Sequence, residues 1–168
     1  TVPLTIFAAL AVKSFQDVEK ELVNLRKVYG DFGTSSDEVE KVTEDIVELS
    51  KAMTALGFTA KETLGVAAEA AAIGYVGDDL VKITEDVSKF AALGNMAQTE
   101  ALTTLVSVNT AFGIEVENLG ETVDFLNAVE NQTILSMQDM AEAIPITAAA
   151  VKGLGGDIKD LAVFMTAM

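Results

Sequence analysis

Apolar and small residues recur through the first thirty positions in steps of four and three, at Leu4, Ala8, Ala11, Phe15, Val18, Leu22, Leu25 and Tyr29. A strand cannot use this rhythm, because its side chains change face at every residue. A helix can, and a sustained alternation of fours and threes is a heptad seam, the narrow stripe through which two helices bury each other. Gly30-Asp31-Phe32-Gly33 closes the segment. Ser35 then offers an N-cap with Glu38 three residues on, the pattern of a capping box. The seam resumes at Val39, Val42, Ile46, Leu49, Met53 and Leu56, opposite Asp37, Glu40, Lys41, Glu44, Asp45, Glu48 and Lys51. Two seamed helices on a short loop read as an antiparallel hairpin. Self-association through the same seams is the competing reading.

After Gly57 the rhythm shortens. Thr59 with Glu62 forms another capping box, and Asn95 with Gln98 follows Gly94 in the same way. Glu115 and Glu117 put carboxylates in a first turn, where the helix dipole favours them. Ser136 with Asp139 starts one more helix, and Asp157 starts the last. Glycines stand where these helices stop, because the residue after a helix often takes a left-handed conformation. Gly57, Gly94, Gly113 and Gly155 are the expected terminating turns. The expected helices are 3–29, 36–56, 60–74, 78–93, 97–112, 115–130, 137–152 and 157–168. The fold class is therefore all-α, about eight helices, a long heptad-patterned hairpin followed by a bundle or array of shorter helices. Residues 1–56 form the lead-in and residues 57–168 a compact helical core, with the lead-in packed on it or projecting from it. In the third helix the stripe Leu64, Ala68, Ala71, Tyr75 is mostly alanine, so a neighbour can approach closely. Pro145 lies inside the seventh helix and predicts a kink or break near residues 141–144. A chain that starts at Thr1 and stops at Met168, inside the pattern Ile158, Leu161, Met165, Met168, reads as a fragment of a longer one.

Missing residue types exclude whole classes of chemistry. There is no Cys for a disulfide, zinc finger or thiol nucleophile, and no His for a Ser-His-Asp triad or an imidazole ligand. A net charge of −15 opposes binding to phosphate backbones or anionic lipid, both of which need clustered Lys and Arg. Asp78-Asp79, Glu85-Asp86 and Glu115 with Glu117 are the closest carboxylate groups. Neighbouring helical residues point apart, so these read as caps and solvated faces rather than an acid/base pair. Gly153-Leu154-Gly155-Gly156 follows a helix and lacks the Lys of a phosphate loop, so it reads as a turn. No catalytic, cofactor-binding or metal-binding residue is assigned, and the chain is expected not to be an enzyme. The residues that matter are the packing or self-association seam Phe15, Val18, Leu22, Leu25, Val39, Val42, Ile46, Leu49 and Met53.

From about Leu56 to Met168 the order of segments resembles the core region of phage tail tape measure proteins. The resemblance is carried by residues 55–62, 80–93, Asn109-Thr110-Ala111-Phe112-Gly113-Ile114, 123–131, Ser136 to Ala143, and 148–155. Where the family often has Ala-Asn-Ser, this chain has Glu130-Asn131-Gln132-Thr133. The resemblance implies a virion protein, made in the host cytoplasm, that fills the tail lumen of a siphophage. It would set tail length while tube subunits polymerise around it, and leave ahead of the genome at infection. The implied partners are the tail tube protein, tail-tip proteins and tail assembly chaperones, with self-association. No specific nucleic-acid binding is implied, and membrane contact only during ejection. The alternative is a generic α-helical interaction module without enzymatic activity.

Overall fold

The computed structural model describes residues 4–30 and 35–167, with side chains from Gln16 onward. Among the described residues there are eight α-helices, two short 3-10 turns and no strand. The helices are α1 Leu4–Gly30, α2 Ser36–Met53, α3 Ala60–Ala72, α4 Gly77–Gly94, α5 Gln98–Phe112, α6 Leu119–Gln132, α7 Met137–Gly153 and α8 Ile158–Thr166. The chain divides into two compact units, residues 1–81 and residues 82–168, with the division inside α4. α3 therefore groups with α1 and α2, although the sequence rhythm separates it from them at residue 56.

Within the first unit α1 packs most extensively against α3, α2 also packs against α3, and α1 meets α2 over less surface. The expected pairing of α1 with α2 is present, but α3 is the larger partner of both. The alanines explain this. Leu64, Val66, Ala67, Ala68, Ala70 and Ala71 are all buried, which requires covering on more than one side of a thin helix. α2 answers with a face wider than a two-helix seam. Beside Val42, Ile46 and Met53 it buries Thr43 and Ser50, whose hydroxyls donate back to the carbonyls of Val39 (2.6 Å) and Val47 (2.7 Å). Those internal bonds let two polar side chains sit in the packed face without an unmet donor.

Within the second unit α7 is the hub. α5, α6 and α8 all pack against it, α5 most extensively. Its core includes Leu105, Leu126, Met137, Met140, Ile144 and Leu161, each fully buried. Pro145 does not break α7, which runs uninterrupted from Met137 to Gly153. Of the expected kink or break, the break is absent, and a partner distant in the sequence meets the carbonyl that the proline leaves without its helical donor. The carbonyl four residues before Pro145 belongs to Ala141, and the buried hydroxyl of Thr104 on α5 donates to it at 3.1 Å.

Helix ends follow the expected chemistry with two corrections. Four helical segments close with the paired bonds of a Schellman motif. One example is Gly155 N–H to Lys152 O (2.9 Å) with Gly156 N–H to Val151 O (3.0 Å), where Gly155 has φ +86°. Gly57 and Gly74 turn in the same way, and Gly113 (φ +65°) closes α5 with a single bond to Asn109 O. At the end of α4 the left-handed residue is Asn95 (φ 48°), not Gly94. Gly94 is small for another reason, since a Cβ there would collide with Met96 Cε and lie 3.1 Å from Met137 Cβ. Asn95 is thus a C-terminal residue of α4 and does not cap α5, whose N-cap is Ala97 with no side-chain bond. The second correction concerns the sixth helix. Residues 116–118 form a 3-10 turn, and α6 begins at Leu119, four residues later than the carboxylates at Glu115 and Glu117 imply.

Candidate functional site

The seam residues collect on the inner side of the first unit. Leu25, Val42, Ile46 and Met53 are buried, Val18, Leu22, Val39 and Leu49 are half-buried, and Phe15 lies outside the described side chains. Tyr29, at the end of the same stripe, is 1% exposed, and its hydroxyl oxygen accepts the N–H of Gly77 at 2.7 Å. The first residue of α4 is thereby capped by a side chain 48 positions earlier. Burial pushes the Tyr29 phenol above its ordinary range. It stays a neutral hydrogen-bonding group rather than a titrating one.

The carboxylates divide into two structural jobs. Glu62, Asp139 and Asp157 each complete a capping box at the start of α3, α7 and α8. All three are held below the usual carboxylate range. Glu62 is lowered first by the backbone N–H of Thr59, Asp139 first by the Ser136 hydroxyl, and Asp157 first by the backbone N–H of Asp160. A general acid needs the opposite shift. The other job is ion pairing. Lys41 lies 3.5 Å from Asp78, and Lys89 lies 2.7 Å from Glu85.

Asp86 departs from the expectation of a solvated face. It is 1% exposed, and both of its oxygens accept from Lys82 Nζ at 2.7 Å. Its place was readable from the spacing, three residues after Ile83 and four before Phe90 on the core stripe of α4, with a lysine one turn earlier. Gly120 on α6 completes the arrangement. A Cβ there would lie 3.4 Å from Lys82 Nζ and 3.5 Å from Asp86 Oδ1, so the bare glycine leaves the pair its space. Nearby, Gln98 Nε2 donates to Ser88 Oγ, and Ser88 Oγ donates to Thr84 O, both at 2.7 Å and buried.

Among the described residues no group of three metal-ligating side chains comes together, and no helix is long and apolar enough to cross a membrane. An apolar groove of about 420 Å³ lies between α6 and α8, lined by Phe125, Val129, Ala162 and Val163, with Lys159 and Thr166 beside them. Of the glycine run at 153–156, Gly153 is the last residue of α7 and the other three residues lie in the turn toward α8.

A family model described as phage-related minor tail protein matches residues 43–168, well over half of the chain. The chain belongs to that family. It is a structural component of a phage tail, all-α in build, and its virion location is the tail. The match begins inside α2 and takes in every later helix, so the minor tail protein signature covers part of the first unit and all of the second. No curated protein and no solved structure matches the chain.

Proposed function

We propose that this minor tail protein is a tape measure. It occupies the lumen of the tail tube, its length sets the length to which tube subunits polymerise, and it leaves ahead of the genome. The observation that carries the reading is the family match over residues 43–168, joined to the resemblance of residues 56–168 to tape measure cores. The physical character of the chain supports it. A net charge of −15 repels DNA, which suits a plug that must move out of the way of DNA. Its shifted carboxylates serve as helix caps, which suits a scaffold that carries out no catalysis. Its partners on this reading are the tube protein, the tail-tip proteins and the assembly chaperones.

A photo-crosslinking amino acid placed at the exposed positions Glu44 and Asp124 in the phage gene tests the location. Irradiated intact virions should yield adducts with the tail tube protein. Adducts confined to proteins outside the tube would contradict a lumen location. Absence of the protein from purified virions would favour the generic interaction module instead.

A further inference from the structure

We infer that Pro145 is a latent hinge in α7 and that Thr104 of α5 is its lock. A proline inside a helix removes the N–H that would have served the carbonyl four residues back, and its ring crowds that carbonyl. Kinks at proline follow from this loss. Here the orphaned carbonyl is Ala141 O, and the helix is nonetheless continuous from Met137 to Gly153. The missing donor comes from another helix, since Thr104 Oγ1 lies 3.1 Å from Ala141 O.

The same hydroxyl also lies 3.1 Å from Glu100 O, its own preceding turn. A hydroxyl has one proton, so the two carbonyls compete for it. Glu100 O stands inside α5, where the helical ladder already supplies the N–H of Thr104. Ala141 O has no such supply, because residue 145 is proline. The proton is therefore worth more at Ala141, where its absence leaves a buried acceptor unmet. Thr104 is fully buried, so water does not replace it while α5 stays in place.

The arrangement couples two events. While α5 is docked, α7 is one continuous helix. When α5 moves away, Ala141 O loses its donor, water enters, and α7 bends at residues 141–145. α7 is the hub on which α5, α6 and α8 all pack, so the state of this one bond reaches the whole second unit. A tail protein that must change its packing during assembly or release has here a defined place to bend.

The test uses the full chain and takes advantage of its lack of native Cys. Cysteines at the exposed sites Gln138 and Lys152 carry spin labels on either side of Pro145. In the parent chain they should report one narrow distance, about 21 Å between backbone positions for a straight helix. Thr104→Val keeps the shape and removes the hydroxyl. It should broaden and shorten that distribution and speed amide exchange at Ile146 to Ala149 by about tenfold. Thr104→Ser keeps a donor and should stay near the parent. Pro145→Ala restores the N–H, so adding Thr104→Val to it should leave the distance narrow and change exchange less than about threefold. If Thr104→Val unfolds the chain, rescue by Pro145→Ala supports the lock and failure to rescue contradicts it. Equal effects of Thr104→Val with and without Pro145, or no effect at all, would overturn the inference.

Discussion

The two units solve the same problem with different materials. Residues 1–81 bring long helices together around α3, whose buried surface is largely alanine, so backbones approach and few large side chains are needed. Residues 82–168 pack shorter helices around α7 with Leu, Met, Phe and Ile, and thread polar groups through that core, namely Lys82 with Asp86, Gln98 with Ser88, and Thr104 with Ala141 O. Dispersion and area burial alone tolerate many registers, whereas a buried hydrogen bond is satisfied in only one. The first unit relies more on shape, with the Tyr29 to Gly77 bond as a long-range polar tie, and the second adds a set of buried polar pairs.

The largest expected effect breaks the first unit. Ile46 is fully buried, so Ile46→Asp places a charge among apolar neighbours and should cost about 3–5 kcal/mol. Denaturant unfolding measures this, and Glu44→Gln on the exposed face should stay within about 0.5 kcal/mol. Next comes the second unit's polar core. Lys82→Met strands the carboxylate of Asp86, and the cost should be about 3 kcal/mol, whereas changing both residues to apolar ones of similar size should cost much less. If the double change is as harmful as the single one, the pair matters for volume and not for charge.

Acid should sharpen the contrast. The first unit has one capping box with a lowered carboxylate, Glu62, and the second has two, Asp139 and Asp157. Because folding depresses these values, their stabilisation is present above the unfolded carboxylate range near pH ~4 and is lost as pH falls through the lower folded values. Amide exchange between pH 5 and 2 (set by the buffer) should therefore show α7 and α8 loosening at their starts. Asp139→Asn with Asp157→Asn should remove that dependence. The smallest effect is a gain. Gly65 lies inside α3 with open space where a Cβ would go, so Gly65→Ala should stabilise the first unit by about 0.5–1 kcal/mol, read as a rise in melting temperature.

Helix existence was legible because apolar spacing and caps are local signals. Thr59 with Glu62 and Ser136 with Asp139 act as read, and of the seven helices after α1 six begin within a residue of the expected place. What sequence spacing missed depends on neighbours far along the chain. The seam of α1 could not reveal that an alanine helix two elements later would cover it. The place of Asp86 on the α4 stripe was readable, but Gly120, which leaves the ion pair its space, was not. Asn95 and Gln98 have the spacing of a capping box. The Schellman bond from Met96 N–H to Ala91 O claims Asn95 for the end of α4, and the core claims Gln98. Pro145 carried a correct local rule, yet the helix is not broken there, and the carbonyl it leaves is met by a residue 41 positions away, Thr104.

Tail length is the most direct measure of the tape-measure reading. An in-frame duplication of residues 43–168 in the phage gene, with tails measured by electron microscopy, should lengthen them, by up to about 190 Å if the added stretch is drawn out as helix at ~1.5 Å per residue. Intact virions that carry the duplicated protein and keep tails of the original length would contradict it.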